Sequence, residues 1–279
     1  MTNRSHIKMK HTIAFIGGSG LAQGLERTLE GVKKVENIGT PFGNVLSYYD
    51  GLNNDNRVII LPRHGDSMEL PSRSPAELVK QKGYEANIWQ LHELGVEAIF
   101  GLSAVGSLDM DVPLASEGTF VVPNQSVRGC AASQHSFGNM AINVHPNMST
   151  PFDPNLNDVA VKAILNCGYS AMKEGTYIYN GGDCFETPAE IRFLDKMTKG
   201  EPNRLVGMTT VPEAILSNQM NIPFVAICSN VNYAEGLSQQ TLVGHEQTLD
   251  VMKKAEPMII DITKSIMGFY GNSEKLPFE

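Results

Sequence analysis

GGDCFETPAEIRFLDKMTKGEPNRLVGMTTVPEAILSNQMNIPFVAICSNVN, residues 181–232, places two helix starts beside two short apolar runs. Residues 187–190 (TPAE) form a capping box with proline at the first helical position, and Pro212 opens a second helix. Residues 204–208 and 224–229 are predicted to be short buried strands. This alternation of strands and helices predicts an α/β fold.

Two polar residues in this stretch stand where α/β proteins hold ligands. Glu186 comes just before the first helix, and Asn232 comes just past the last predicted strand. An ionised carboxylate only accepts hydrogen bonds, whereas a carboxamide both donates and accepts. The pair can therefore bind a flat heterocycle along its edge.

Composition excludes several classes of protein. With 279 residues and 42% hydrophobic residues, the chain can bury a sizeable core, and its net charge of -8 disfavours a nucleic-acid or anionic-membrane surface. The four cysteines form no CxxC pair, which favours reduced thiols over a zinc site or disulfides. We expect a cytoplasmic protein without a signal peptide or membrane span. The predicted organisation is a flexible tail at 1–10, one domain at 11–270 and a second tail at 271–279.

Small or polar loops follow four of the predicted strands. The glycine loop 17–20, which contains Ser19, follows the strand 12–16. Three further loops end the strands 58–61, 99–102 and 204–208, and they supply Arg63, His64, Ser103, Ala104 and Thr209. Four such loops on one edge of a sheet can converge on one oxyanion. The dinucleotide fingerprint fails, because its third glycine is replaced by Gln23.

The rest of the chain completes the fold prediction. A capping box starts a helix over residues 74–94, and another helix spans 158–167. The pattern is lost over 124–154, a loop long enough to be functional. A helix over 243–267 should kink or restart at Pro257. At least six strands alternating with helices predict a single domain with a central mixed β-sheet flanked by helices.

The chain resembles the trimeric purine nucleoside phosphorylases and the related methylthioadenosine phosphorylases over most of residues 13–267. The resemblance is carried by GGSG at 17–20, RHG at 63–65, EANIW at 85–89, EGTY at 174–177, FETPAE at 185–190 and VGMTTVPE at 206–213. It implies a homotrimer, or a dimer of trimers, that needs no cofactor and uses inorganic phosphate as co-substrate. The implied reaction is phosphorolysis, in which phosphate attacks the anomeric carbon and releases the purine base and (deoxy)ribose 1-phosphate.

The resemblance also implies residue roles. The phosphate ligands would be Ser19, Arg63, His64, Ser103, the Ala104 amide and Thr209. Phe185 and Val206 would bound the base, and Met208 and His245 the ribose, with His245 reaching the 5′-hydroxyl.

The substrate is read at two positions in this family. Relatives acting on 6-aminopurines carry aspartate at the position of Asn232, whereas an amide there can donate toward purine O6 and N7. Glu186 would accept from N1–H. The pair implies 6-oxopurine nucleosides such as inosine and guanosine, with Asn232 and His64 as the catalytic residues.

Some motifs depart from this assignment. The RHG and ANIW motifs are closer to the methylthioadenosine branch, and Asp183 and Cys184 replace the usual base-side sequence. A phosphorylase for 5′-methylthioinosine or 5′-methylthioadenosine is therefore the alternative within the class. A non-catalytic purine-binding sensor is the alternative outside it, and the phosphate ligands disfavour that reading because a sensor has no need of them.

Overall fold

The computed structural model describes residues 10–18, 24–66, 72–129, 134–237 and 245–271, with backbone alone for 245–247 and 271. The described strands are β1 (Thr12–Gly17), β2 (Glu30–Thr40), β3 (Gly43–Asn53), β4 (Asn56–Pro62), β5 (Ala98–Ser107), β6 (Thr119–Val121), β7 (Gln125–Arg128), β8 (Ser170–Met172), β9 (Thr176–Tyr179), β10 (Arg204–Gly207) and β11 (Phe224–Tyr233). The helices are α1 (Pro75–Lys80), α2 (Gly83–Glu93), α3 (Pro154–Asn166), α4 (Pro188–Met197), α5 (Val211–Gln219) and α6 (His245–Gly271).

All these strands join one mixed sheet, which confirms the predicted fold class. The order along its main path is β2-β3-β4-β1-β5-β10-β9-β7, and β11 pairs with β5 and β6. Strands β1, β4, β5 and β11 run parallel to their neighbours in this group, whereas β10 runs antiparallel to β5. Strand β5 is central, because its first half pairs with β1 and its last residues pair with β10.

Both faces of the central strands of the sheet are buried. In β1, Ile13 and Phe15 pack into one core cluster, whereas Ala14 and Ile16 pack into the other. Because successive side chains of a strand point to opposite faces, a fully apolar strand requires helices on both sides. Helices α3 and α6 contribute residues to the first cluster, and α2 and α5 contribute to the second.

The capping boxes predicted to start α1 and α4 are confirmed, whereas α3 begins at Pro154 rather than at the predicted residue 158. Thr187 and Ser74 both form complete capping boxes, at α4 and α1. The predicted helix 74–94 is two helices, since Lys82 has a left-handed backbone with a φ of 52°. The predicted restart at Pro257 is wrong, because residues on both sides of it, such as Ala255 and Ile259, bury against the same core and keep α6 continuous.

Candidate active site

A cavity of about 530 Å³ opens where β1 and β10 diverge along β5. Gly18 follows β1, Arg63 and His64 follow β4, and Ala104 lies within β5; all four line the cavity. Because β10 runs antiparallel to β5, its continuation brings Thr209 back to the same wall. The structure thus brings together residues from all four of the segments singled out in the sequence. One prediction is wrong, because the segment that contains Ser103 and Ala104 is not a loop but the second half of β5.

Arg63 is held rigidly at the inner end of the cavity. Its Nε and Nη2 donate to the two carboxylate oxygens of Glu213 at 2.5 and 2.9 Å, and its Nη1 donates to the Leu102 carbonyl at 3.2 Å. Both side chains of this ion pair are almost fully buried. Burial acts to lower the pKa of Arg63, but the Glu213 carboxylate more than offsets it and raises that pKa. The guanidinium is therefore a fixed positive charge beside the cavity.

Gly18 leaves room next to this charge. A Cβ on Gly18 would lie 3.1 Å from Nη1 of Arg63 and 3.7 Å from Nε2 of His64. A side chain here would therefore occupy the space that an anion needs between these groups. Ser19, the neighbouring hydroxyl of the predicted phosphate site, lies outside the described residues.

His64 lines the cavity, and one of its ring nitrogens already makes a hydrogen bond within the protein. Its Nδ1 lies 2.7 Å from the Arg73 carbonyl, and because a carbonyl only accepts, Nδ1 must carry the proton. Burial first, and the charge of Arg63 second, lower the pKa of His64 to about 4. The imidazole is neutral near pH 7, so its free Nε2 accepts a hydrogen bond rather than donating one.

Ser103 lies one layer behind the cavity wall. Its side chain is buried, and its hydroxyl lies 3.4 Å from that of Tyr177. The Tyr177 hydroxyl also accepts from the backbone N–H of Thr209 at 3.4 Å. Ser103 is not among the residues that line the cavity, whereas Ala104 and Thr209 are. The Tyr177 hydroxyl thus links the Ser103 side chain to the Thr209 backbone behind the cavity wall, a role that the sequence analysis missed.

The backbone at Thr210 is strained. This β-branched residue has a φ of 44° and a ψ of -54°, and the Val211 N–H donates to the Thr209 carbonyl at 2.5 Å. Such a tight three-residue turn is rare for a non-glycine residue and costs about 1–3 kcal/mol. It lets the chain turn from β10 directly into α5, so that Thr209 faces the cavity while Glu213 reaches Arg63.

Glu186 also lines the cavity and is 8% exposed. It precedes Thr187, the N-cap of α4, as the sequence predicted. Burial raises the pKa of Glu186, while its own backbone N–H and the Asn180 amide, which donates at 3.3 Å, partly offset that rise. The carboxylate is thus weakly held by the protein and presents its acceptors to the cavity.

Asn232 lies inside β11, which corrects the prediction that it comes just past a strand. A register shift between Asn230 and Asn232 marks an irregularity that alters the local pleat of the strand. The Asn232 Nδ2 donates to the Tyr233 carbonyl at 3.1 Å, and it would lie 3.0 Å from a Cβ on Gly106. An amide nitrogen has two protons, so one remains to donate into the cavity.

Apolar side chains form much of the remaining cavity wall. Phe185, Val206 and Met208 line the cavity, as the resemblance implied, and Phe185 is 38% exposed at the mouth. The sequence analysis missed a further part of the wall, which is formed by Val231 and by residues of α6: Thr248, Leu249 and Met252. His245 is the first residue of α6, and its side chain lies outside the described part of the chain.

Two acidic residues have positions that the sequence analysis did not foresee. Glu213 was noted only beside a helix start, although it binds Arg63 across 150 residues of chain. Asp183, noted as a departure from the family sequence, lines the cavity and bonds to Ser74 and Ala76 at the start of α1. The signal for Glu213 was its place within the VGMTTVPE motif.

Comparisons with known proteins agree with this architecture. The family model for the phosphorylase superfamily matches residues 12–267. A solved structure of methylthioadenosine phosphorylase from Schistosoma mansoni in complex with adenine superposes with a TM-score of 0.80 at 24% identity, covering 94% of this chain and 93% of that one. That structure supports the fold.

Two curated relatives are similar over almost their full length. The probable S-methyl-5′-thioinosine phosphorylase of Methanocaldococcus jannaschii is 32% identical over 94% of this chain and 94% of that protein. The 6-oxopurine nucleoside phosphorylase of Pyrococcus furiosus is 32% identical over 90% of this chain and 89% of that protein. The chain belongs to the phosphorylase superfamily.

Proposed function

We propose that this protein cleaves 6-oxopurine nucleosides, such as inosine, guanosine and their deoxy forms, with inorganic phosphate. The products are the free base and (deoxy)ribose 1-phosphate. One observation carries the proposal: Arg63, His64, Glu186 and Asn232 line a single cavity. Along β5, Arg63 donates to the Leu102 carbonyl and Asn232 lies against Gly106. We call these two regions of the cavity the phosphate end and the base end. A nucleoside in this cavity would have its sugar between the two ends, where phosphate can reach the anomeric carbon.

The phosphate end supplies both charge and orientation. The fixed guanidinium of Arg63, the Ala104 backbone and Thr209 surround one space beside Gly18. The neutral Nε2 of His64 would accept a hydrogen bond from the hydroxyl group of monohydrogen phosphate, so it orients the anion without repelling it. A phosphate fixed in this way stabilises the positive charge that develops on the sugar as the base departs. The proposed reaction needs no cofactor.

The base end accounts for the choice of purine. Asn232 would donate toward O6 and N7, where negative charge collects on the leaving base, and Glu186 would accept from N1–H. A carboxylate at position 232 would place an acceptor against O6 instead. Such a mismatch in a buried site discriminates between substrates by about 10⁴-fold. The name of the Pyrococcus furiosus relative, a 6-oxopurine nucleoside phosphorylase, agrees with this assignment.

The test is the release of hypoxanthine from inosine with and without phosphate. Phosphate-dependent release, with ribose 1-phosphate as the second product, is the expected result. Binding of inosine without turnover would instead support a purine sensor. Release at equal rates with and without phosphate would indicate a hydrolase and contradict the proposal.

A second candidate substrate is a 5′-methylthio nucleoside, favoured by the apolar residues Leu249 and Met252 of α6 in the cavity wall. The Methanocaldococcus jannaschii relative is named for such a substrate. We propose that His245 favours the 5′-hydroxyl, so His245→Ala should reduce turnover of inosine more than that of 5′-methylthioinosine. An equal loss on both substrates would remove this role of His245.

We further propose that the protein works in the cytoplasm as a homotrimer or a dimer of trimers. The long loop carries three exposed apolar residues, namely Met140, Ile142 and Val144. Phe185 and Leu249 are likewise exposed at the cavity mouth, and a second copy of the chain would cover such surfaces. Sedimentation equilibrium measures the mass directly. A monomer at micromolar concentration would contradict the trimer.

A further inference from the structure

Asp183 connects the two sides of the cavity mouth. It lies in the base-side loop between β9 and α4, three residues before Glu186. Its Oδ2 accepts from the Ser74 hydroxyl at 2.8 Å, and its Oδ1 accepts from the Ala76 backbone N–H at 3.0 Å. Both partners belong to the start of α1, on the phosphate side of the cavity.

The start of α1 is in turn tied to His64. Arg73 immediately precedes Ser74, and its carbonyl accepts from Nδ1 of His64 at 2.7 Å. The backbone N–H of Arg73 also donates to the His64 carbonyl at 2.8 Å. These two bonds fix residue 73 to residue 64, so a shift of Ser74 would move the carbonyl that orients the imidazole.

Helix capping alone does not account for Asp183. Ser74 already caps α1, because its hydroxyl accepts from the Glu77 N–H at 3.2 Å, and the Glu77 carboxylate accepts from the Ser74 N–H at 2.9 Å. A second acidic group, from another loop, adds little to a helix of six residues. What its two bonds do fix is the distance between the base-side loop and the segment that holds His64.

We infer that Asp183 is a positioning residue, which links the base-side loop to the phosphate-binding His64 through Ser74, Ala76 and Arg73. This inference rests on the proposed function. It assigns a role to a residue at which the chain departs from the family sequence. The same contact that positions the base-side loop would thus hold the imidazole in place for phosphate.

The test compares Asp183→Ala with Asp183→Asn. Alanine removes both bonds. The amide oxygen of asparagine can still accept from the Ala76 N–H, and its amide nitrogen can donate to the Ser74 hydroxyl, which retains a free lone pair. We expect the KM for phosphate to rise about tenfold in Asp183→Ala and less than about threefold in Asp183→Asn, with kcat changed less than KM in both.

The matched control is Asp153→Ala. Asp153 also accepts two backbone N–H groups at the start of a helix, from Asn155 and Leu156, each at 2.9 Å, and it lies outside the cavity. This variant should lose thermal stability but keep the KM for phosphate. The inference is overturned if Asp183→Ala behaves in the same way. It is also overturned if Asp183→Asn is as impaired as Asp183→Ala, because charge rather than the two bonds would then matter.

A failure of the proposed function is distinguishable from a failure of this inference. If the unchanged protein does not cleave inosine, the proposed reaction is contradicted. The effect of Asp183 on phosphate binding can still be measured. Calorimetric titration with inorganic phosphate alone should then give the same order of affinities, with Asp183→Ala weakened about tenfold and Asp153→Ala unchanged. Equal affinities in all four proteins would overturn the role of Asp183.

Discussion

The two ends of the cavity are held in place to very different degrees. At the phosphate end, Arg63 is buried and shares two hydrogen bonds with Glu213, and His64 is fixed by Arg73. At the base end, Glu186 accepts from its own backbone N–H and, at 3.3 Å, from the Asn180 side chain, and Phe185 is 38% exposed. The proposed phosphate end is therefore preorganised, whereas the proposed base end can adapt. Differences in purine choice between relatives should therefore arise at the adaptable end.

Glu213→Gln should have the largest effect, because it removes the buried ion pair that holds Arg63 at the phosphate end. The buried guanidinium of Arg63 would lose its counter-charge, and we expect the free energy of unfolding to fall by about 3–5 kcal/mol. Affinity for phosphate should fall as well. Urea denaturation and the KM for phosphate measure the two effects.

The control for this variant is Asp50→Asn. Asp50 accepts from Nε and Nη2 of Arg57 at 3.1 and 2.7 Å, the same two-bond geometry, but the side chains are 28% and 23% exposed. The expected loss there is about 1 kcal/mol or less. If Glu213→Gln destabilises the protein no more than Asp50→Asn does, the phosphate end is not the rigid one.

Asn232→Asp should change the adaptable end without harming the rigid one. Loss of the donor to the leaving base should raise the activation free energy for inosine by about 3 kcal/mol, which lowers kcat/KM roughly 100-fold. Turnover of adenosine should rise. The same change two residues earlier, Asn230→Asp, removes an amide that donates to the Val112 carbonyl. Asn230→Asp should lower the free energy of unfolding and leave the ratio of kcat/KM for inosine to kcat/KM for adenosine unchanged. Full inosine activity in Asn232→Asp would contradict the role.

His64→Gln tests the rigid end through its pH dependence. Burial lowers the pKa of His64 to about 4, below the value of about 6.5 in an unfolded chain, so the unfolded state binds more protons between these values. Stability is fully present above about pH 6.5 and falls as the pH drops toward 4, by about 3 kcal/mol. His64→Gln should lose this part of the acid sensitivity in urea denaturation at pH 4.5 and 7.5. An unchanged pH profile would show that the imidazole is not held neutral.

Glu186→Gln should give the smallest change. Burial raises the pKa of Glu186, so this carboxylate becomes protonated, and stops accepting from N1–H, at a pH above the usual range for glutamate. In the unchanged protein kcat/KM for inosine should fall as the pH drops through this raised pKa. The variant should be about tenfold less active at neutral pH and should lack that acid limb. An acid limb that persists in the variant belongs to another group.

The sequence predicted the architecture where local signals are strong. Apolar strands such as 12–16, and the capping boxes at Ser74 and Thr187, are read from a few adjacent residues, and the structure confirms them. The strands β2 and β3 gave no such signal. Most of β2 is exposed, so it lacks the apolar alternation on which a strand prediction rests.

Side-chain partners were harder to foresee than strand ends. The contacts of Glu213 with Arg63 and of Asp183 with Ser74 join residues more than a hundred positions apart. Only the folded sheet brings them together, because β10 returns antiparallel to β5. The roles of the individual site residues, and the boundaries of the two tails, stay predictions.

Strand β5 fixes a distance along the cavity wall. Ala104 faces the phosphate end, and Gly106, two residues further along the same strand, lies against Asn232 at the base end. Two residues of an extended strand span about 7 Å, roughly the width of one pentose ring. In the proposed reaction the sugar would lie between these two points of β5, and an insertion or deletion between Ala104 and Gly106 would change their separation by about 3.3 Å per residue.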